Sequence, residues 1–342
     1  MGNLAMKLEL NFLQKQTKEI IAELQKLKDS GVTHLDLSGN EFDKRTGIEL
    51  AAILSALKNS GVTHLDLSLN NFDKMPATDL VVMLSALKGS GITHLDLSGN
   101  DFGEKSGAEL VEILNAIKGS GITSLSLAEN DLGTKTESEL FDILSTLKDS
   151  GVTHLDLYGN KLGERKGPEL STMLGALKDS GITHLDLSWN NFGKMAKTDL
   201  FVMLKAVNHT GITHLNLSDN FLGTKSGKEL SELFRQIEGK LTITIAKNKL
   251  EKCGCSAKEF ARLLFDTSHH YVLGSSEYDK AVSEEFHRLK KQHLVALLFT
   301  GKKLAEKKES FFYYEGGRRD VMSLISAKMP SIQIICSSSN LI

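Results

Sequence analysis

The chain has 342 residues, 40% hydrophobic and 25% charged, with a formal net charge of −2. That length allows one large or two ordinary domains, and the near-neutral balance argues against a nucleic-acid binder driven by bulk electrostatics. Cys253, Cys255 and Cys336 are too few for a disulfide framework and imply a reducing compartment.

The opening stretch MGNLAMKLELNF has no sustained apolar core of signal-peptide type, and Met6 stands where a myristoylation motif needs serine or threonine. No window approaches the roughly 18 apolar residues of a membrane span. The expectation is a soluble protein of a cytosol-like compartment, with no cofactor. A short strand is predicted around Leu8 and Leu10. Residues 17–29 read as a helix whose Ile20, Leu24 and Leu27 match Leu50, Leu54 and Leu57 further on. Residues 1–30 are thus an N-terminal cap or a degenerate first repeat.

From Gly31 the chain repeats. GVTHLDLSGNEF has close copies beginning at Gly61, Gly91, Gly121, Gly151, Gly181 and Gly211, a 30-residue period, and an eighth copy begins at Gly239 after a unit two residues shorter. Alternation through His34-Leu35-Asp36-Leu37-Ser38 predicts a strand with Leu35 and Leu37 inside and His34, Asp36 and Ser38 on the other face. Asn40 recurs at 70, 100, 130, 160, 190, 220 and 248, where a stacked amide can satisfy backbone groups freed at each strand end. Leu50, Ile53, Leu54 and Leu57 then form one stripe of a helix that stops near Gly61. A second layer of repetition relates Asn70–Leu84 to Asn190–Leu204, which suggests duplication of a four-repeat block.

Stacked strands need about 4.8 Å each, whereas packed helices need roughly 8–10 Å. The array must therefore curve with its strands on the inside. The pattern resembles the leucine-rich-repeat superfamily, and the helix-containing unit resembles its ribonuclease-inhibitor-like subtype. Near-identical repeats followed by an unrelated tail also resemble the leucine-rich-repeat effectors that Legionella delivers into host cells. The resemblance implies an α/β solenoid over residues 31–250, a curved parallel sheet inside and helices outside. It also implies a protein partner, a host protein met after secretion without a signal peptide. Few cysteines separate the chain from mammalian ribonuclease inhibitor, so ribonuclease inhibition is not carried over.

Past Leu250 the period disappears, and residues 251–342 read as a mainly helical cap or small domain. Ser256 to Phe265 is a predicted helix with Ser256 at its N-cap and Glu259 three residues on. His269 to Ser276 reads as a loop. Glu277 to Glu309 reads as helix with a break at Gly301, Arg318 to Lys328 as a short helix and Ile332 to Ile335 as a last strand.

Four constellations carry possible chemistry. His34, His64, His94, His154, His184 and His214 form a column beside one of Asp36, Asp66, Asp96, Asp156 and Asp186, interrupted by Ser124, Ser126 and Asn216. Imidazoles beside carboxylates suit a metal or a pH-sensitive surface, but a ladder without an endpoint favours solvated consensus residues and no metal. The second is the position before each recurring asparagine, which reads Gly39, Leu69, Gly99, Glu129, Gly159, Trp189 and Asp219, with Tyr158 and Ala128 replacing the preceding serine. Trp189, Tyr158, Leu69, Glu129, Asp219, His154 and His184 are the candidate partner contacts, because exposed aromatics are frequent hot spots. Trp189 and Tyr158 read equally as shields for neighbouring backbone. The third is the tail, where Cys253-Gly254-Cys255, His269-His270 and His287 lack the spacing of a zinc knuckle or a nucleophilic site. The fourth, Arg288-Leu289-Lys290-Lys291, is interspersed with glutamates as on a solvated helix. The expectation is a non-catalytic interaction scaffold; the alternative is an enzyme or adaptor with its activity in residues 251–342.

Overall fold

Leu35, Leu37 and their copies through Ile243 and Ile245 are all buried, and so are Leu50, Ile53, Leu54 and Leu57 of the following helix. One unit cannot close over both sets, so each stacks on the next and the core runs continuously along the array. The computed structural model describes residues 6–239, 241–267 and 269–306, with side chains up to residue 293.

Ten parallel strands form one sheet in strict chain order. They are β1 (Met6–Glu9), β2 (Val32–Asp36), β3 (His64–Asp66), β4 (His94–Asp96) and β5 (Ser124–Ser126), then β6 (His154–Asp156), β7 (His184–Asp186), β8 (His214–Asn216), β9 (Thr242–Thr244) and β10 (His270–Val272). Register is exact to the repeat: His34 faces His64, Leu35 faces Leu65 and Asp36 faces Asp66. After each of β2 to β9 comes a short 3-10 turn that buries Phe42, Phe72, Phe102, Leu132, Leu162, Phe192, Leu222 or Leu250.

The outer layer is α1 (Thr17–Gln25), α2 (Gly47–Ser55), α3 (Ala77–Ser85), α4 (Gly107–Ala116), α5 (Glu137–Ser145), α6 (Gly167–Gly175), α7 (Lys197–Ala206), α8 (Gly227–Phe234) and α9 (Ala257–Phe265), followed by the long α10 (Glu277–Glu306). Capping boxes start α2, α4, α5 and α8, with Thr46, Ser106, Thr136 and Ser226 each paired to a glutamate three residues on. The strand and helix spacings bend the array toward the sheet.

Asparagines tie the units together. Asn70 Oδ1 accepts from Asn40 N at 2.9 Å, while its Nδ2 donates to the carbonyls of Leu37, Leu67 and Ser68 at 3.0 Å each. The pattern recurs through Asn248, and all eight asparagines are buried.

The N-terminal end follows the sequence expectation, and the C-terminal end departs from it. The N-terminal segment adds β1 to the sheet, and Ile20, Leu24 and Leu27 are buried as their alignment with the repeats predicts. At the other end the segment read as a loop forms β10, which pairs with β9. His269 fixes this extension: its Nε2–H donates to Phe234 O at 3.0 Å, and its Nδ1 accepts from Leu241 N at 3.4 Å. Ser256 accepts from Glu259 N at the start of α9. The sheet thus crosses residue 250, where the sequence pattern stops. Helix α10 continues through Gly301 without the expected break. The expected helix at 318–328 and strand at 332–335 lie outside the described residues.

Candidate binding surface

The strand face is built by the side chains that alternate with the buried leucines. Nδ1 of each of the six column histidines lies 2.9–3.0 Å from Oγ1 of the threonine before it. So oriented, the rings stack: His34 on His64 and His64 on His94 at 3.8 Å, then, beyond Ser124, His154 on His184 and His184 on His214 at 4.0 Å. Burial, and after it the neighbouring imidazoles, hold His64, His94 and His184 below the ordinary histidine range. Near-parallel rings present their nitrogens in a row rather than around one point. Among the described residues no group of three or more His, Cys, Asp or Glu side chains is placed to hold a metal ion.

The aspartate column is not the solvated consensus that the sequence suggests. Oδ1 of Asp36, Asp66, Asp96 and Asp186 accepts the backbone N–H two residues on at 2.7–3.0 Å, and Asp156 does the same for Tyr158 at 2.8 Å. These side chains shape the turn that ends each strand. Burial raises the carboxyls of Asp96 and Asp156 above their usual range, whereas Asp36 is lowered despite its burial by Lys7 at 2.8 Å and by Ser38. Asn216 Oδ1 takes over the same duty in β8, accepting from Ser218 N at 3.0 Å.

Past that turn the backbone enters the left-handed region. The residue before each asparagine has φ of 62° at Gly39, 56° at Leu69, 61° at Gly99, 52° at Glu129, 67° at Gly159, 57° at Trp189, 53° at Asp219 and 55° at Lys247. Glycine suits this conformation, and a side chain here costs roughly 1 kcal/mol. Large residues at the position lean over a neighbouring glycine: a Cβ on Gly99 would stand 2.6 Å from Leu69 Cδ2, and one on Gly159 would stand 3.0 Å from Trp189 Cε3.

Trp189 and Tyr158, in adjacent repeats, stack with ring centroids 5.3 Å apart and planes 16° from parallel. Trp189 remains 47% exposed. Glu129 is exposed on one side of the pair, and Asp219 on the other is half-buried with its carboxylate 3.7 Å from Lys247 Nζ. His154 and His184 lie in the second imidazole stack of the same face. Leu69 is 61% exposed but stands four repeats from Trp189, about 19 Å at strand spacing. The candidate contacts therefore form one cluster around Tyr158 and Trp189 with Leu69 apart from it.

Sequence reasoning missed the imidazole stacking and the turn-shaping role of the aspartates, because neither follows from column alignment. The left-handed position did carry a signal: glycine occupies it in the first, third and fifth repeats.

The tail candidates are engaged locally. Cys253 and Cys255 are free thiols with Sγ atoms 3.1 Å apart, lying 3.4 and 3.8 Å from Tyr278 Oη. Burial pushes the Cys255 thiol up to about 11, which opposes nucleophilic chemistry. His287 Nδ1 lies 2.7 Å from the Ser283 carbonyl of its own helix. In the basic run, Arg288 pairs with Glu285 and Lys290 lies 4.8 Å from the Phe286 ring centroid.

Fold and surface together define a strand–helix solenoid with an open, aromatic-bearing strand face. The family model described as Leucine Rich repeat matches residues 92–111 and 182–194. The leucine-rich repeat-containing protein LegL7 from Legionella pneumophila is similar in structure, with a TM-score of 0.69 and 30% identity over 81% of this chain and 86% of that one. This chain belongs to the leucine-rich-repeat family. A putative phosphonomutase from Burkholderia cenocepacia J2315 aligns with a TM-score of 0.27 and 11% identity over 84% of this chain and 100% of that one, too weak to bear on fold or activity. No curated protein matches the sequence.

Proposed function

We propose that the protein is a non-catalytic scaffold that holds a partner protein on its strand face, and that it acts as a bacterial effector inside a host cell. The observation that carries the first part is the stack of exposed Trp189 on half-buried Tyr158, with Trp189 kept in a left-handed conformation that glycine occupies at the same position of other repeats. Costly backbone geometry around an exposed aromatic is a reason to look for function there. Curved repeat faces of this kind suit large convex partners. The setting rests on the likeness to LegL7 and on the repeat style of the sequence. In this reading residues 1–30 are a cap or degenerate first repeat, residues 251–342 are a cap or small domain, and the repeats between them supply the recognition face.

The test is affinity capture from host-cell lysate with wild type against Tyr158→Ala/Trp189→Ala. A specific partner held by wild type and lost by the variant is expected. Equal recovery of every specific binder would dismiss these contacts. A translocation reporter fused to the chain, followed in donor cells with and without a type IV secretion system, tests the setting.

A further inference from the structure

We propose that the Tyr158–Trp189 face takes a basic peptide segment of its partner, with an arginine side chain laid on the indole and its charge met by Glu129, Asp156 and Asp186. The inference rests on the strand face being the partner surface and adds the chemistry of what it binds.

Of the four carboxylates around the aromatic pair, Asp219 faces Lys247, and Glu129, Asp156 and Asp186 form no ion pair among the described residues. Asp156 accepts only neutral donors, Tyr158 N at 2.8 Å and Ser126 Oγ at 3.1 Å. Asp186 accepts from Ser188 N and from Asn216 Nδ2 at 2.7 and 2.6 Å, again neutral groups. Among the described residues Lys247 pairs with Asp219 at 3.7 Å and Lys161 with Asp131 at 2.7 Å, and neither lysine engages Glu129, Asp156 or Asp186. The Tyr158 phenol is held above its ordinary range by burial and then by Glu129, Asp219, Asp186 and Asp156, so the negative potential converges on the ring. On the same face, burial and neighbouring imidazoles hold His184 below the ordinary histidine range, so it supplies little positive charge near pH 7.

The geometry selects among cations. Trp189 is 47% exposed and lies over Gly159, whose missing Cβ leaves room for the ring. An open indole face attracts a cation, and a planar guanidinium both stacks on it and forks to carboxylates. The surface is an open sheet rather than an enclosed pocket, which suits a side chain presented on a polypeptide. A nucleic acid would meet the same carboxylates as repulsion.

Trp189 is the single tryptophan of the chain, so its fluorescence reports directly on this spot. The full chain would be titrated with an acetylated and amidated octapeptide of alternating arginine and serine, with its citrulline counterpart and with its glutamate counterpart. The arginine peptide is expected to quench Trp189 saturably, the citrulline peptide to bind about tenfold more weakly, and the affinity for arginine to fall with added salt. Asp156→Asn/Asp186→Asn is expected to weaken the arginine peptide about tenfold as well. This variant keeps its turns, because Asn216 already fills the same column and still accepts from Ser218 N; far-ultraviolet circular dichroism checks the fold.

Equal binding of arginine and citrulline peptides, tighter binding of the glutamate peptide, no quenching by the arginine peptide, or an unaffected asparagine variant would each overturn the proposal. If the arginine peptide fails while a captured partner still depends on Tyr158 and Trp189, the basic-segment inference falls and the scaffold reading stands. If the peptide binds while capture is indifferent to both residues, Tyr158 and Trp189 are dismissed as contacts of the captured partner, and the assignment of a basic segment to that partner falls with them.

Discussion

His64 and His94 stack with ring centroids 3.8 Å apart, two imidazoles from units 30 residues apart in the chain. Protonating both would put like charges in contact, and burial already holds each below the ordinary range. A histidine depressed in the folded state contributes stability that is complete above its unfolded value, near 6.5. That stability is lost as pH falls through about 6.5 toward the lower folded value. The urea midpoint is therefore expected to drop between pH 7.5 and 5. Substituting His64→Ser/His94→Ser, the residue that β5 carries at Ser124, should flatten the slope. His184, His269 and His270, lowered chiefly by burial, should leave part of it. An unchanged slope in the double variant would remove the stack from the account.

Leu69 is the cleanest place to measure what the left-handed position costs. Its φ is 56° and it is 61% exposed, so little burial is forfeited by removing it. Leu69→Gly should stabilise the protein by about 1 kcal/mol in urea denaturation, since glycine adopts this conformation without a Cβ clash. Destabilisation would mean that packing over Gly99 outweighs the backbone cost. Trp189→Gly should gain less, because it also gives up the stack on Tyr158.

Much of the fold was legible because its determinants are local and repeated. Leu35, Leu37, Asn40 and Phe42 recur at fixed spacing, so one unit predicts the next, and their burial follows. The tail lacks that redundancy. Tyr271 and Val272 in β10 sit between two histidines and a glycine-serine turn, with no repeat consensus to mark them, and their pairing depends on His269 reaching Phe234 and Leu241. At the candidate surface, the exchange of glycine for larger residues before the recurring asparagines exposed the position. The contact between Tyr158 and Trp189 depended on side-chain rotation, which column alignment does not encode.

Asn160 should be among the most sensitive single positions. Its Oδ1 accepts from Asn130 N at 3.2 Å and Leu132 N at 3.0 Å, and its Nδ2 donates to Leu127 O at 2.9 Å and Tyr158 O at 3.2 Å. The residue is fully buried, so Asn160→Ala leaves these backbone groups without water. A loss of roughly 3 kcal/mol is expected by urea denaturation. A loss below about 1 kcal/mol would show that the ladder relaxes around a missing rung.

The end of the sequence period is a poor place to cut the chain. Phe260, Ala261 and Leu264 of α9 are completely buried, and Tyr271 of β10 lies 5.6 Å from the Phe234 ring in α8. Ending the chain at residue 250 would strip this cover from α8, leave the β9 edge unpaired and orphan the backbone groups that His269 satisfies. A fragment of residues 1–250 should therefore melt at a lower temperature than residues 1–293 and bind more of a hydrophobic dye. Point variants separate the causes: His269→Ala should speed amide exchange in β9 and β10 while leaving β3 to β6 protected, because each unit of a solenoid leans chiefly on its neighbours. Uniform loss of protection along the whole sheet would mean that the array unfolds as one unit, and the terminal latch would then stabilise the entire solenoid.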